Sequence, residues 1–521
     1  MERTTISHAN ALTRRQALQL AGATALAGAT LCVAPGLARA AESASTAGDG
    51  VPTLRVGLSG SSSDALDPAT SNALHLPYTV KFNTLDCLAY LDEGKVTNRL
   101  ATAFTPNEDA SEWTVTIRDD AKFHDGTPVT ADDVLYSLKY IGTSPVGQGN
   151  YANVDWDASS SDGAQTVTLK LTQPQATLVE AGFAAFSFVF PKDTQSADFD
   201  HDLGSGPYKL ESFDPDSGTV LVANEEYWDG APAIKRIELF PMADSATRMQ
   251  ALTGGQIDYA DGVSATDAAT VASNPDLTLL SGGATNSSAY EFILNCSQPP
   301  FDDVELRKAF KQAVDRDALV STIFRGEGEA GNDVVGKGLP GYDEDLQPHQ
   351  LDVEAAKKVF ADKGLTSIEV LSAEVVAGIK DSVTLLQQQL QPLGVTLNVT
   401  EVDPSTIYTT NAGMIAQTQL FASYYINRPF ATHAPLYTAA SSPYNFSAWK
   451  EEAYNELIEQ TAVTVDDEAR QDLFDQAQQM LWEQGGDVVW GLAYDLAVHA
   501  ARLSGVKMSQ SIPLFAKATL A

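Results

Sequence analysis

Residues 101–141 read ATAFTPNEDASEWTVTIRDDAKFHDGTPVTADDVLYSLKYI, and they contain the clearest structural pattern in the chain. Apolar and polar residues alternate over 112–118, which predicts a β-strand with one buried face. Asp125-Gly126 predicts a turn after this strand. Thr130 stands three residues before Asp133, as in a capping box, and apolar residues recur at helical spacing after it. The stretch therefore predicts a strand, a tight turn and a capped helix, which form a scaffold without a reactive group.

Strand and helix patterns alternate along the rest of the chain. Short apolar or alternating runs predict strands at Leu54–Leu58, Val220–Val222, Ile237–Phe240, Tyr290–Asn295, Ile368–Leu371 and Val395–Val399. Amphipathic patterns predict helices at Asp244–Leu252, from Asp302 onward, and at Asp352–Lys363, Lys380–Leu393 and Glu451–Gln484. This mixture predicts an α/β protein and not an array of repeats.

The amino-terminal segment has the features of an export signal. Residues 13–18, TRRQAL, resemble a twin-arginine motif, an apolar run rich in alanine and glycine follows, and Ala38-Arg39-Ala40 fits a cleavage site. We therefore expect residues 1–40 to be a signal peptide that is removed, and 41–50 to be a flexible leader. The alternatives are a membrane anchor, for which the run is short, and a lipid anchor at Cys32. The protein is expected in the periplasm or on the outer face of the cell envelope.

The chain is strongly acidic, with a formal net charge of −35 at pH 7. Such a surface repels phosphate backbones and anionic lipid headgroups, which argues against nucleic-acid binding and against peripheral membrane association. Beyond the signal, the cysteines are Cys87 and Cys296, without a CxxC or other metal-ligand spacing. Two buried thiols are expected, with a disulfide between them as the alternative. No cofactor is expected.

Several phrases besides residues 101–141 carry a family resemblance. They are GSGPYKL at 204–210, EEYWDGAPAIKRIELFP at 225–241, QALTGGQIDYADG at 250–262 and PPFDDVELRKAFKQAVDRDALVSTIFRGEG at 299–328. Together they resemble the family 5 extracellular solute-binding proteins, which are the oligopeptide, dipeptide and nickel-chelate receptors of ABC importers. The resemblance extends over almost all of residues 52–521.

The resemblance implies a bilobed periplasmic-binding-protein-like α/β fold with an inserted subdomain, of type II and similar to cluster C. The first lobe is expected to comprise 51–87, 197–285 and a carboxy-terminal return at 493–521, with 88–196 as its inserted subdomain, and the second lobe 286–492. The chain is expected to cross between the lobes near 284–290 and near 492–498. Such crossings act as hinges, and a ligand stabilises the closed form through its higher affinity for that form.

The resemblance also implies where a ligand lies. Tyr425 stands where peptide-binding relatives have an aspartate for the ligand's amino terminus, and Leu371–Glu374 stands where dipeptide-binding relatives have an arginine for its carboxylate. We therefore expect a swapped arrangement in which Glu374 holds an amine and Arg428 holds a carboxylate. The alternative is a solvated Glu374 and an Arg428 in a structural ion pair. The predicted ligand-binding residues are Ser59, Ser61, Ser62, Tyr290, Ser372, Glu374, Tyr424, Tyr425, Asn427 and Arg428. The tyrosines are expected to stack on a ligand or to pack in the core.

Other functions find little support in the residues. Residues 331–338 nearly match a phosphate-binding loop, but Gly338 replaces the hydroxyl residue that the metal requires. Ser447 and Lys450 fit SxxK without a following KTG. A binding protein and not an enzyme is therefore expected: a monomeric receptor that delivers a small peptide or peptide-like solute to ABC permease subunits. A metal chelate or other non-peptide solute is the alternative ligand, and a secreted hydrolase is the remote alternative function.

Overall fold

The computed structural model describes residues 51–70, 75–271 and 273–521. The predicted signal peptide, the leader and Cys32 lie outside these residues. The strands, numbered along the chain, are β1 (Thr53–Leu58), β2 (Ala89–Asp92), β3 (Lys95–Asn98), β4 (Ala101–Pro106), β5 (Glu112–Ile117), β6 (Val154–Ser161), β7 (Thr166–Leu171), β8 (Tyr208–Asp214), β9 (Gly218–Ala223), β10 (Arg236–Pro241), β11 (Tyr259–Ala260), β12 (Leu277–Ser281), β13 (Ser287–Leu294), β14 (Gly328–Ala330), β15 (Ser367–Ser372), β16 (Thr396–Glu401), β17 (Leu420–Ile426), β18 (Asp487–Tyr494), β19 (Leu496–Ala500), β20 (Leu503–Ser504), β21 (Lys507–Ser509), β22 (Ile512–Leu514) and β23 (Thr519–Leu520).

The α-helices of the described residues are α1 (His75–Thr84), α2 (Ala131–Gly142), α3 (Ser245–Thr253), α4 (Ala265–Val271), α5 (Val304–Ala313), α6 (Arg316–Ile323), α7 (Val353–Lys363), α8 (Ile379–Leu390), α9 (Ala412–Ile415), α10 (Phe430–His433), α11 (Glu452–Val463) and α12 (Asp467–Gln484). Short 3-10 segments occupy Ser196–Asp200 and Gln391–Leu393, and π-helical turns occupy Val179–Phe183 and Ala434–Thr438.

The first large sheet has seven strands in the order β12-β19-β11-β1-β10-β9-β8. Its three central strands, β11, β1 and β10, run parallel to one another. Leu54, Val56 and Leu58 are fully buried in β1, as the apolar pattern of this strand predicts. Because the central strands are parallel, their carboxyl ends lie at one edge of the sheet.

Residues 101–171 contain a separate four-stranded sheet in the order β4-β5-β7-β6. In the sequence this sheet lies between β1 and β8, which both belong to the seven-stranded sheet. In β5, Trp113, Val115 and Ile117 are buried, as predicted. The predicted capping box is also confirmed: the Thr130 side chain accepts from the backbone N–H of Asp133, and the Asp133 carboxylate accepts from the backbone N–H of Thr130 at 2.9 Å. The stretch that carries the resemblance therefore folds as its residues predict.

The second large sheet has six strands in the order β14-β18-β13-β17-β15-β16. Strands β15, β16 and β17 are mutually parallel, and β13 is antiparallel to β17. One face packs on α5 to α8 through side chains such as Phe310, Phe360 and Leu386. The other face packs on the segments that follow β16 and β17 through Ile407, Phe421 and Tyr425. The two large sheets, each with its own apolar cores, form the bilobed α/β fold.

The chain passes between the two large sheets twice. Residues 282–286 join β12 to β13, and Asp495 alone joins β18 to β19. The two crossings hydrogen-bond to each other: Gly282 N–H donates to the Asp495 carbonyl at 2.8 Å, and Asp495 N–H donates to the Asn286 carbonyl at 2.9 Å. Two short segments bonded side by side form the connection expected of a hinge.

The region before β8 also contacts the second lobe. Ala176 N–H donates to the Ala462 carbonyl at 2.6 Å, and Arg470 lies 3.5 Å from Glu180. The turn between β2 and β3 reaches the loop that carries Gly338. Gly94, with φ of 81°, is required there because a Cβ at this position would collide with the Gly338 carbonyl oxygen.

Some predicted elements differ from those observed. The single helical pattern at 451–484 is two helices, α11 and α12, separated at 464–466, where Asp466 caps α12 by accepting from Ala469 N–H at 2.9 Å. Asp303, and not Asp302, caps α5 by accepting from Glu305 N–H at 2.8 Å. In both cases the short carboxylate starts a helix that the apolar pattern alone does not locate. The domain boundaries given above stay a prediction.

Candidate functional site

The carboxyl ends of β1, β10 and β11 form one edge of the first sheet. Buried Arg248 of α3 fixes this edge by donating to the carbonyls of Met242 at 2.5 Å, Asp261 at 2.6 Å and Gly262 at 2.8 Å. These carbonyls belong to the residues that follow β10 and β11. One guanidinium therefore ties the ends of two parallel strands together, where ligands of α/β proteins commonly bind.

A cluster of charged and polar groups joins this edge to the crossing at Asp495. His75, at the start of α1, lies 2.5 Å from Asp261, and the Ser511 hydroxyl donates to the Asp495 carboxylate. Burial disfavours the imidazolium of His75, but the carboxylates of Asp261 and Asp495 outweigh it and raise the pKa of His75. Burial also raises the pKa of Asp495, against the Ser511 hydrogen bond and the charge of His75. The hinge therefore contains coupled titratable groups.

The three serines predicted to contact a ligand lie in the loop that follows β1. The Ser59 hydroxyl accepts from His75 N–H at 3.2 Å, at the start of α1. The Ser61 hydroxyl donates to Asp64 at 3.1 Å and lies 2.9 Å from the Ser63 hydroxyl. Ser62 is exposed. The loop is thus shaped by its own hydroxyl and carboxylate contacts, and the role of the serines in binding stays a prediction.

In the second sheet, β15 and β17 are parallel neighbours, and the loops after them lie at the same edge. Glu374 follows β15, and both of its carboxylate oxygens accept backbone N–H groups: Gly378 at 2.8 Å and Lys380 at 2.8 Å. Because Gly378 and Lys380 lie at the start of α8, Glu374 caps this helix. Glu374 therefore has hydrogen-bond partners within the fold and is not simply solvated, which was the alternative interpretation.

The predicted aromatic residues fall on opposite faces of the second sheet. Tyr290 and Tyr424 stand opposite each other on β13 and β17, with ring centroids 6.5 Å apart. Tyr290 also donates its hydroxyl to the Ala377 carbonyl at 2.9 Å and is 7% exposed. Tyr425 faces the other side and packs on Tyr437, with centroids 4.4 Å apart. Tyr290 and Tyr425 are therefore core residues, and Tyr424 is the half-buried one of the three.

Ser372 ends β15 and is 1% exposed, and its hydroxyl oxygen is without a hydrogen-bond partner among the described residues.

Asn427, just after β17, connects three segments near the hinge through side-chain hydrogen bonds. Its side-chain N–H groups donate to the carbonyls of Ala284 at 2.8 Å and Lys337 at 3.0 Å, and its oxygen accepts from Gly336 N–H at 2.8 Å. Asn427 therefore fixes the start of the next loop against a crossing segment.

Arg428 follows Asn427 and is half-buried. Its guanidinium lies over the ring of Tyr437, 5.5 Å from the centroid, and its Nε is buried without a hydrogen-bond partner. Arg428 forms no ion pair with the described residues, so the alternative of a structural ion pair is not found. Arg428 therefore differs from buried Arg248 and Arg316, whose guanidinium groups are held by carbonyls or a carboxylate.

Two further polar atoms, without hydrogen-bond partners in the described part of the chain, lie close to Arg428 in sequence. They are the Thr432 hydroxyl oxygen and Nδ1 of His433, both buried in or beside α10. Burial and the charge of Arg428 lower the pKa of His433 to about 3, so this imidazole is neutral at physiological pH. Burial raises the pKa of Tyr424, and Arg428 opposes this effect, which places Tyr424 within the electrostatic reach of Arg428.

Sequence reasoning did not identify Asp495, His75, Asp261 or Tyr437 as site residues. Asp495 had one usable signal, because it is a lone acid between the apolar strands β18 and β19. His75 and Asp261 are 186 positions apart, so only the parallel pairing of β1 with β11 brings them together. Tyr437 lies in a π-helical turn that no local pattern predicts.

The described residues contain neither a metal-binding cluster nor a membrane-spanning helix. No group of three or more His, Cys, Asp or Glu side chains in this part of the chain is arranged to hold a metal ion. Among the helices of the same residues, none combines the length and the apolar character needed to cross a membrane. Cys87 and Cys296 are free thiols, and burial raises the pKa of both.

Comparisons with known proteins agree with this architecture. Residues 95–447 match the family model for bacterial extracellular solute-binding proteins, family 5 middle region. The glutathione-binding protein GsiB of Salmonella paratyphi A is 28% identical over 356 residues, which cover 66% of this chain and 68% of GsiB.

Two solved structures share the fold at low identity. HbpA2 of Haemophilus parasuis superposes with a TM-score of 0.78 at 20% identity, covering 90% of this chain and 100% of HbpA2. NikA of Brucella suis in complex with Fe(III)-EDTA superposes with a TM-score of 0.78 at 19% identity, covering 90% of this chain and 100% of NikA. The family model matches more than half of the chain, and the chain therefore belongs to family 5 of the bacterial extracellular solute-binding proteins.

Proposed function

We propose that this chain is an exported substrate-binding protein of an ABC importer, which captures a peptide or peptide-like solute between its two lobes and delivers it to a membrane permease. One observation carries the mechanism: the two large sheets are joined only by residues 282–286 and Asp495 among the described residues, and these crossings hydrogen-bond to each other. Rotation about such a pair changes the distance between the lobes while leaving each sheet intact.

The division into lobes follows the sheets. We assign 51–87, 197–285 and 493–521 to the first lobe, 88–196 to a subdomain inserted in it, and 286–492 to the second lobe. The strands of each large sheet fall within one lobe in this division, except that Ala493 and Tyr494 at the end of β18 lie just past the boundary at 492. Asn427 after β17 donates to the Ala284 carbonyl of the first crossing at 2.8 Å, and Asp261 after β11 lies within electrostatic reach of Asp495 in the second crossing. This arrangement favours a ligand site between the two edges.

Closure requires that the ligand bind the closed form more tightly than the open form. Binding at micromolar strength supplies about 8 kcal/mol, enough to close a hinge that is only modestly biased toward the open form.

The peptide-like ligand is supported by the similarity to GsiB, which is named for glutathione. The metal-chelate alternative is supported by the fold shared with NikA, which was solved with Fe(III)-EDTA.

Native mass spectrometry of the protein from the cell that exports it, before and after denaturation, tests the proposal. A family of released masses that differ by amino-acid residues is expected for a peptide receptor. A single mass with a metal isotope pattern would instead support the chelate. The mass of the denatured chain also tests export, because removal of residues 1–40 and lipidation at Cys32 give different masses.

A further inference from the structure

The two ends of a peptide carry opposite charges, and the second lobe treats the two charges differently. Arg428 is a permanent cation without an ion pair or a hydrogen bond to its Nε among the described residues. Its backbone is held in place by the neighbouring Asn427, whose side chain makes three hydrogen bonds to other segments. A guanidinium on a fixed stretch of backbone, with an Nε donor that has no partner among the described residues, is suited to a planar anion that binds through two oxygens.

The surroundings of Arg428 favour an anion with a single charge. His433 is neutral at physiological pH, and among the described cations Arg428 alone affects the pKa of His433 or of Tyr424. Tyr437 stacks below the guanidinium at 5.5 Å, so this face supplies an aromatic ring and not a second positive charge. One guanidinium balances a carboxylate, whereas a phosphate dianion would leave one charge unmatched.

The acidic groups near the same edges already have partners. Both oxygens of Glu374 accept from the start of α8, and Tyr425, for which the resemblance implies the position of the relatives' aspartate, is a core residue. On the other side of the crossings, Asp261 pairs with His75 and Asp495 accepts from Ser511. Because each of these carboxylates already accepts a hydrogen bond within the fold, an ammonium group would have to share the carboxylate with that donor.

Resting on the proposed function, we infer that the protein selects solutes by a carboxylate that Arg428 binds, and that it does not require a free amino terminus. The expected substrates are carboxylate-bearing peptides and related solutes, with N-acylated and free peptides bound alike. Of the swapped arrangement that the sequence predicts, the inference retains carboxylate binding by Arg428 and rejects amine binding by Glu374.

A tripeptide library in three chemical forms tests this inference. The purified protein, freed of bound ligand by reversible unfolding, is mixed with the free, the N-acetylated or the C-amidated library, and the retained masses are measured. We expect similar retention of the first two forms and at least a tenfold loss with the amidated form. The same test on Arg428→Gln is expected to abolish the preference for the acid, whereas Arg325→Gln, at an exposed arginine of the same lobe, is the matched control.

The outcomes separate the inference from the proposed function. Equal retention of acid and amide, or loss of the acetylated form, would overturn the inference and leave a peptide receptor. Retention of none of the three libraries would count against both. The solute that copurifies with the protein gives an independent test, through methyl esterification of the released material. A non-peptide solute that gains methyl esters would overturn the peptide assignment and support the inference, and a solute without a carboxylate would overturn the inference.

Discussion

The loops after β15 and β17 are neighbours at the same edge of the same sheet, and each carries one charged residue that the sequence proposes as a ligand anchor. The two residues have different uses. Both carboxylate oxygens of Glu374 accept hydrogen bonds from backbone N–H groups at the start of α8, whereas the Nε of Arg428 has no partner among the described residues. A charged residue at the end of a parallel strand is thus available to a ligand only where the following helix has not already engaged it.

Removal of the Arg428 side chain is expected to have the largest effect on ligand binding. Arg428→Ala deletes the cation, and a hydrogen bond to a charged group contributes about 1.5–3 kcal/mol, so affinity is expected to fall by roughly 10- to 100-fold. Isothermal titration with the ligand recovered from the wild-type protein measures this loss. The midpoint of thermal unfolding should change little, because the guanidinium forms no ion pair with the described part of the chain. Unchanged affinity would show that Arg428 is not an anchor.

The contact between the inserted region and the second lobe offers a test of closure. Gly94→Val would place a side chain against the Gly338 carbonyl, so a closed form that keeps this contact is disfavoured and affinity is expected to fall about tenfold. Gly126→Val is the matched control, since Gly126 also has positive φ, of 92°, but a Cβ there would meet open space. The two variants share the strain of a branched residue at positive φ. Equal affinities for the two variants would contradict a role for this contact in closure.

Glu374 is expected to affect stability and not affinity. Glu374→Ala removes the cap from α8, and loss of a helix cap costs about 0.5–2 kcal/mol of unfolding free energy. Denaturant unfolding followed by circular dichroism measures this cost, with Glu459→Ala on an exposed face of α11 as the control. If Glu374→Ala instead weakens binding and leaves the unfolding free energy unchanged, Glu374 is a ligand residue and the comparison with Arg428 fails.

Glu291 in β13 sharpens the comparison, because neither oxygen of this fully buried carboxyl has a hydrogen-bond partner among the described residues. Burial raises its pKa well above the usual range, with Asp487 and Asp333 adding to the effect. A raised folded-state pKa means that the favourable contribution is present below the unfolded-state pKa and is lost as pH rises toward the folded-state pKa. Glu291→Gln is therefore expected to raise the unfolding free energy at pH 8 relative to wild type, and to have less effect at pH 4.

Asp333 is the control for this experiment. Burial would raise its pKa, but Arg316, at 2.7 Å, and Lys311 hold the pKa of Asp333 below its usual value. Its stabilising contribution is present above the unfolded-state pKa and is lost as pH falls through the folded-state pKa, so Asp333→Asn is expected to destabilise the protein at pH 8. If Glu291→Gln and Asp333→Asn changed the unfolding free energy in the same direction at pH 8, the opposite pKa shifts assigned to Glu291 and Asp333 would be contradicted.

The sequence predicts those parts of the fold that depend on local patterns. The alternation in β5, the Thr130–Asp133 capping box and the apolar stripe of α5 are all local, and the structure confirms them. The break between α11 and α12 was missed, because both helices continue similar apolar spacing across residues 464–466. The resemblance supplied the arrangement of lobes, which local patterns do not contain.

The site was predicted less completely. The positions of Asn427 and Arg428 at the edge of the second sheet agree with expectation, since they directly follow an apolar strand. The use of Glu374 as a cap depends on the path of the chain between β15 and α8, where Gly378 adopts φ of 101°. The pairing of His75 with Asp261 depends on contacts between distant segments. The periodicity of the sequence does not predict hydrogen bonds between distant segments. Such hydrogen bonds determine which charged side chains remain available to a ligand.

The place of β19 in the first sheet has a consequence for how the protein is made. This strand, at Leu496–Ala500, lies between β11 and β12 and pairs with both. A ribosome must therefore complete the whole second lobe before the first lobe can close the gap in its sheet. The lobe whose synthesis begins first therefore cannot finish folding until the other lobe has been synthesised, and a chain truncated before β19 would present two unpaired strand edges to its neighbours.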